Sequence, residues 1–411
     1  MEDDEPPQLL DVSSPEAGPS SPTRDAYDRP KIPLTLLTGY LGAGKSTLLD
    51  YILKEEHGYK IAVCMNDFGD TTDIEGTSYM KSTSNFLLDI LIVCIYFIAK
   101  SLTLSNPTSQ TTSTEFLSLP NGCLCCSFKD MGIAAIEEMV ANAPGGIDWV
   151  MVELTGVADP GPIVRSFWAN EEMGDLILDG VVCVVDSRNV LKQLAEQREG
   201  DEINECQKQV ACADVILLNK LDLVTPEQMK EVESTIRTIN PTLRVHHTTH
   251  SKAPLSELFN LRAFSDPTAL TTTSTTKPQE QKHDHSSENC SHPSHTPTHT
   301  NGISTILIPL PTLSQRQWLR LNEFLESVLW DNKFPGSKKA CPEILRSKGY
   351  IKLDDGRAYV LQGVADLFEL KELSENQDKD GGEGEGQGKV VFIGKNVGEE
   401  MKFALEEFVG I

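Results

Sequence analysis

The chain of 411 residues carries 61 acidic against 36 basic side chains, a net charge of −25 with a pI near 4.7; nothing offsets phosphate repulsion, so nucleic acid is set aside as a partner. Apolar residues make up 39% of the chain, low for one compact globule, so part of the length is expected outside packed domains. What remains has room for two domains.

Residues 1–30 are acidic and rich in Pro and Ser, the opposite of a basic segment followed by an apolar core. They read as a disordered tail rather than a secretory leader. Ten cysteines in a long chain of this kind then read as reduced thiols, not a disulfide network, and the expected compartment is cytoplasmic, with the nucleus as a second location. Inside the tail, Leu9, Leu10 and Val12 make a small apolar island of the size of a short docking motif.

An apolar, β-branched run from Ile32 to Leu37 predicts a buried strand, and an apolar-periodic helix starts at Ser46 or Thr47. Between them Gly39, four residues, then Gly44, Lys45 and Ser46 satisfy G-x-x-x-x-G-K-[ST] in a strand, loop, helix setting. Glycines let the backbone curl so that several N–H groups converge on one anion, and the helix N-terminus adds partial positive charge. Gly39, Gly42, Ala43, Gly44, Lys45, Ser46 and Thr47 are therefore the candidate phosphate-binding residues, with Lys45 reaching the β- and γ-phosphates and Ser46 ligating Mg²⁺.

From Ile32 to about Phe264, short apolar strands (Lys60 to Met65, Asp148 to Glu153, Gly180 to Asp186, Asp214 to Asn219) alternate with helical stretches near 130–142, 188–198, 201–213 and 225–239. That alternation predicts an α/β domain, residues 31–264, with a mostly parallel sheet covered by helices on both faces and ligands at the carboxyl ends of its strands. Asp67 follows the second strand and is a candidate metal contact, although Asn66-Asp67 also reads as a plain turn. Residues 86–99 form an apolar run interrupted by Asp89, too short and too charged for a membrane span. A span there would put the phosphate loop and the later motifs on opposite sides of a membrane, so no membrane association is expected.

Asn121-Gly122-Cys123-Leu124-Cys125-Cys126 offers three thiolates at a spacing that can converge on one soft ion. A vicinal Cys125–Cys126 disulfide would be strained, and reducing conditions oppose it. Three sulfurs leave a tetrahedral ion one ligand short, which suits transfer better than a closed structural site. The strand Trp149 to Glu153 ends in a carboxylate suited to orient the Mg²⁺ water shell or the attacking water, and Gly156 is placed to offer an N–H to the γ-phosphate. Asn219-Lys220-Leu221-Asp222 ends another buried strand in the N-K-x-D pattern that reads guanine: Asp222 accepts from N1–H and the exocyclic amine, which adenine cannot supply, while Asn219 and the stem of Lys220 frame the base.

Residues 265–302, rich in Thr, Ser, Pro and His, read as a flexible linker. It holds His283, His285, His292, His295 and His299, five of the nine histidines, and either carries Zn²⁺ loosely or is a silent spacer. Beyond it, strands at Ile303 to Leu310, Tyr350 to Leu353, Ala358 to Gln362 and Val390 to Ile393, with helices at Ser314 to Trp330 and ending near Val409, predict a smaller α+β domain over 303–411.

Taken in order, GYLGAGKST, NDFGD, NGCLCC, ELTGVADP and NKLD resemble the CobW-like GTPase metallochaperones. NGCLCCSFKD and TGVADPG are closest to the eukaryotic zinc-regulated GTPase metalloprotein activator branch. The resemblance implies a P-loop GTPase domain with a CobW C-terminal-like domain that helps recognise clients, and slow hydrolysis of GTP. It also implies Zn²⁺ carried by Cys123, Cys125 and Cys126. Members of the branch share an N-terminal docking motif for type I methionine aminopeptidase; Leu9, Leu10 and Val12 stand in its place here, without the cysteine expected there. The family would run almost directly from Asp73-Ile74-Glu75 to Lys100-Ser101-Leu102, so 76–99 reads as interposed at the nucleotide-sensing switch, either a peculiar insertion or, the preferred reading, an unspliced or mispredicted segment. Pro120 stands where the family often has Glu, which removes an extra candidate metal ligand.

The expected function is a GTP-hydrolysing zinc chaperone, in which loss of the γ-phosphate changes the grip of the cysteine loop on its ion and a client zinc metalloenzyme takes the ion by ligand exchange. Two rivals stand beside it: a metal-binding or storage protein with a regulatory nucleotide site, and an ATP-using P-loop kinase or synthetase.

Overall fold

A computed structural model describes residues 30–55, 58–65, 101–104, 113–115, 128–143, 146–264, 302–337, 341–373 and 388–411. Residues 1–29 of the acidic tail, Asp67, the insertion, the three-cysteine loop and residues 265–301 of the histidine-rich linker lie outside the described residues.

The first part of the chain contributes β1 (Ile32–Thr38), α1 (Lys45–Lys54), β2 (Ile61–Met65), β3 (Ser101–Leu104), β4 (Ser113–Glu115), α2 (Phe128–Ala141), β5 (Trp149–Glu153) and α3 (Pro160–Ala169). It continues with β6 (Leu176–Asp186), α4 (Val190–Leu194), α5 (Glu205–Cys212), β7 (Val215–Asn219), α6 (Pro226–Ile239) and β8 (Arg244–His247). The strands form one sheet in the order β4-β3-β2-β5-β1-β6-β7-β8. From β2 to β8 every neighbour is parallel, and only β3 and β4 at one edge are antiparallel. Successive residues of β6 and β7 enter different cores: Val182, Val184, Val215 and Leu217 pack with α1, α2 and α3, while Cys183, Val185, Ile216 and Leu218 pack with α4, α5 and α6. Both faces are thus covered, as near-continuous apolar strands require.

Three local features depart from the pattern read in the sequence. Pro160-Gly161-Pro162 looks like a helix breaker, yet Asp159 caps α3 by accepting from the Gly161 N–H at 3.0 Å, and a proline is tolerated in a first turn whose N–H groups are orphans anyway. The helix expected over 188–198 stops at Leu194, because the Asn204 side chain takes its terminal carbonyls, donating to Gln193, Leu194 and Glu196 at 2.8–3.2 Å. β6 starts four residues before Gly180, and its register against β1 slips by one at Asp179, whose carboxylate accepts from the Leu261 and Arg262 N–H groups.

The second sheet is wholly antiparallel: β9 (Ile303–Leu310), β10 (Glu343–Lys352), β11 (Ala358–Val364), β12 (Leu367–Glu372) and β13 (Gly388–Lys395), in the order β12-β11-β10-β13-β9. α7 (Gln315–Leu329) and α8 (Glu399–Val409) bury Leu321, Phe324, Leu325, Met401 and Leu405 against it. α7 starts on a capping box, Ser314 with Gln317. The two sheets meet across α5 and α6, where Ile303, Val391 and Ile393 share a core with Cys206, Val210, Val232 and Ile236. At that junction Asp214 Oδ1, just before β7, accepts from Arg346 Nη2 at 2.7 Å and Lys348 Nζ at 2.9 Å, all three buried. Arg346 also lies over the Phe264 ring, 4.6 Å from its centroid. Among the described residues no helix is long and apolar enough to cross a membrane.

Candidate functional site

The carboxyl ends of β5, β1, β6, β7 and β8 lie side by side along one edge of the sheet, and those residues singled out in the sequence that the structure describes lie there. After Thr38 the chain turns through Gly39 (φ 138°), where a Cβ would sit 2.2 Å from the Val184 carbonyl oxygen, so no other residue fits. Gly44 (φ 116°) is equally constrained, with a Cβ position 2.4 Å from Asn219 Nδ2. The turn closes by an Ala43 N–H to Tyr40 carbonyl bond of 3.1 Å. α1 then starts with no side-chain cap and no acid in its first turn, leaving its first N–H groups and its partial positive charge facing the loop. Ser46 and Thr47 are exposed on that first turn, whereas Lys45 is buried and folds back, donating from Nζ to the Gly39 carbonyl at 2.7 Å. Burial pushes its ammonium below the ordinary lysine value, while the charge of Glu153 pulls it back.

Glu153 ends β5 opposite Leu37 in the register, and the Leu154 N–H donates to the Leu37 carbonyl at 2.8 Å, which sets this carboxylate beside the start of the loop. The next residues form a turn closed by Ala158 N–H to Thr155 carbonyl at 3.0 Å. In it Gly156 lies against the loop so closely that a Cβ there would be 2.6 Å from the Leu41 nitrogen.

On the other side Asn219 Nδ2 donates to the Ala43 carbonyl at 2.9 Å and to Ser251 Oγ at 2.8 Å, and its Oδ1 accepts from the Ser251 N–H at 2.8 Å. Lys220, in the left-handed region at φ 63°, stretches over the loop and donates to the Gly42 carbonyl and to Asp186 Oδ2, both at 2.7 Å. Burial opposes charge on Asp186, but the Lys220 ammonium together with hydrogen bonds from Asn189 and the Arg188 N–H outweighs it and holds the carboxyl below the usual range. Asp222 is exposed in the short turn Leu221–Leu223 that follows.

The phosphate-loop residues, Glu153, Gly156, Asn219, Lys220 and Asp222 are thus gathered at one end of the sheet. The three cysteines and Asp67 lie outside the described residues, and among the described residues no group of three His, Cys, Asp or Glu could hold a metal. Cys64, Cys183, Cys206, Cys212 and Cys341 are buried, and burial pushes the thiols of Cys64, Cys206 and Cys212 up to about 12, so they stay protonated near neutrality. Two participants are not singled out by the sequence: Asp186, which anchors Lys220, and Ser251, which anchors Asn219. Their signal is positional, a polar residue at or shortly past the carboxyl end of a parallel strand.

The loop can hold an anion: backbone N–H groups, a lysine and free hydroxyls converge where the two glycines leave no room for side chains. The adjoining rim ends in an exposed carboxylate suited to a base edge carrying two donors.

Residues 33–247 match the family described as CobW/HypB/UreG, nucleotide-binding domain, and residues 314–408 match the cobalamin synthesis protein cobW C-terminal domain. A Schizosaccharomyces pombe protein named zinc-regulated GTPase metalloprotein activator 1 is 32% identical over 355 residues, covering 84% of this chain and 78% of that protein. Its Saccharomyces cerevisiae namesake is 30% identical over 411 residues, covering 93% and 84%. Among solved structures, the Zn(II)-bound YjiA GTPase from Escherichia coli superposes with a TM-score of 0.59 at 25% identity, over 92% of this chain and 99% of that one. The match spans both sheets, the parallel one and the antiparallel one.

Proposed function

The chain belongs to the CobW/HypB/UreG family, and from that premise we propose that it is a GTP-hydrolysing zinc chaperone that delivers Zn²⁺ to client metalloenzymes. The observation that carries the nucleotide half is the Asn219 to Ala43 hydrogen bond of 2.9 Å, which fixes the guanine-reading turn to the phosphate loop. The zinc half is supported by Asn121-Gly122-Cys123-Leu124-Cys125-Cys126 and by relatives named for zinc.

In this reading the phosphates lie along Gly39 to Thr47 on the N–H groups of the loop and α1, and Lys45 exchanges the Gly39 carbonyl for phosphate oxygens. Asp222 accepts from guanine N1–H and the exocyclic amine, with Asn219 and Lys220 holding the turn beneath it. Ser46 and Glu153 suit a Mg²⁺ ion: one offers an exposed hydroxyl on the first turn of α1, the other a carboxylate at the adjacent strand end. When bound, the ion would neutralise charge developing on the transferred phosphoryl group. Glu153 orients the attacking water, and the Gly156 N–H meets the γ-phosphate.

Zinc is cargo, held by the thiolates of Cys123, Cys125 and Cys126 and passed on when a client supplies the next ligand. The recipient class is an apo zinc metalloenzyme, with type I methionine aminopeptidase as the first to try, and the working compartment is the cytoplasm and nucleus. Zn²⁺ affinity measured with a GTP analogue, with GDP and without nucleotide should give different values. Three equal values would sink the coupling.

A further inference from the structure

We propose that Gln209 is a positioning residue for the turn that senses the γ-phosphate, a role that rests on the reading of Gly156 as a γ-phosphate contact. Gln209 lies on α5, 1% exposed, and its Nε2 donates to the carbonyls of both Gly156 and Ala158 at 3.1 Å. Because both partners are acceptors, only the NH₂ end of the amide can face them, and its orientation is dictated by the turn. Oε1 is left buried without a partner among the described residues. The neighbouring Lys208 pairs with Asp159 at 3.0 Å, so two consecutive side chains of one helix hold the turn and the residue that caps α3.

The turn is therefore held from two sides. Gly156 packs on Leu41 of the phosphate loop, and its carbonyl accepts from Gln209. The Gly156 carbonyl shares a rigid peptide plane with the Val157 N–H, so holding it fixes one side of the Gly156 Cα, and the Ala158 N–H to Thr155 carbonyl bond holds the other; the Gly156 N–H between them is restricted by both. Such control needs a support that does not itself give way. α5 qualifies: Cys206 and Val210 pack in a core with Ile393 of the second sheet, and the chain just past its end is pinned by the Asp214, Arg346 and Lys348 contacts.

GDP does not reach Gly156 in this reading, and a GTP analogue does. Gln209→Leu keeps the bulk and removes the two bonds. It should weaken GTPγS binding about 10-fold relative to GDP and lower kcat for GTP in proportion, the scale of one or two lost hydrogen bonds. Affinity for fluorescent mant-GDP should stay within about 2-fold, since the loop and the guanine turn are untouched. Loss of both nucleotides together, or an unchanged ratio, overturns the proposal. If Gln209→Leu does not fold, Gln209→Met, unbranched and without a donor, carries the same test, and an unchanged GTPγS to GDP ratio there overturns it too. Gly156→Ala separates this proposal from the one beneath it: should that variant leave the ratio unaltered, Gly156 is no γ-phosphate contact and the parent reading fails. If Gly156→Ala shifts the ratio and Gln209→Leu does not, only the positioning role fails.

Discussion

Asn219 donates from Nδ2 to the carbonyl of Ala43 at 2.9 Å, and so binds the end of β7 to the phosphate loop across 176 residues of chain. The same side chain accepts from the Ser251 N–H at 2.8 Å, while Ser251 Oγ donates to the Gly44 carbonyl at 3.0 Å. The loop, the N-K-x-D turn and the segment after β8 form one hydrogen-bonded unit around a single buried amide.

Replacing that amide by Ala should disturb both halves of the site at once. Asn219→Ala leaves the Ala43 carbonyl and the Ser251 N–H without their partner, at about 1–3 kcal/mol for each buried group. GDP and GTP affinities should fall together, by at least about 10-fold. Isothermal titration against both nucleotides checks this, and a loss confined to one of them would contradict it.

Asp222 lies exposed on the rim, away from that network, so its substitution should change preference rather than order. Asp222→Asn removes the acceptor for guanine N1–H and amine, and GTP affinity should drop by about 100-fold, the equivalent of two charge-assisted hydrogen bonds. Xanthosine triphosphate, with a carbonyl in place of the amine, should gain in the variant. Competition between the two nucleotides reads the switch, and an Asp222→Asn variant that still prefers guanine as strongly would refute the assignment of Asp222.

The junction between the sheets makes a prediction about acid. Burial disfavours charge on Asp214, but the Arg346 guanidinium and the Lys348 ammonium outweigh it and hold the carboxyl below the usual carboxylate range. A carboxyl depressed by folding adds stability above its unfolded pKa, about 3.9, and that share is lost as pH falls through the lower folded value. Asp214→Asn strands two buried cations and should cost about 3–5 kcal/mol near neutrality. Thermal melts from pH 7 down to pH 3 should show the gap between wild type and variant narrowing below about pH 4. A gap constant with pH would mean that Asp214 does not act through its charge.

Thiol chemistry should separate the described cysteines from the three of the motif. Those described are buried, with Cys64, Cys206 and Cys212 pushed up to about 12 by burial, and should resist N-ethylmaleimide at pH 7 in the folded protein. Cys123, Cys125 and Cys126 should react, and one equivalent of Zn²⁺ should protect all three together. Mass spectrometry of the alkylated peptides decides it; labelling of the three that zinc leaves unchanged would remove them as the cargo site.

Much of the fold was legible because its signals are local. Apolar runs such as Val215-Ile216-Leu217-Leu218 mark strands covered on both faces, and Gly39 to Ser46 is a loop whose spacing alone specifies its geometry. Pro160-Gly161-Pro162 concealed α3, because a proline reads the same in a first turn as in a break, and only the Asp159 cap distinguishes them. The end of α4 was set by Asn204, several residues past it, and β12 was hidden by the charges of an edge strand.

By itself the sequence determined the alternating α/β plan and the places of the glycine-rich loop and the N-K-x-D turn at strand ends, since each is written in neighbouring residues whose backbone conformation is a local property. Only the tertiary structure decided that Asn219 hangs on Ser251, that Lys220 rests on Asp186, and that Gln209 grips Gly156. Those partners are brought together by the sheet from places remote in the chain, and a hydrogen bond depends on where the packing of apolar faces brings a donor, which no short stretch of sequence records.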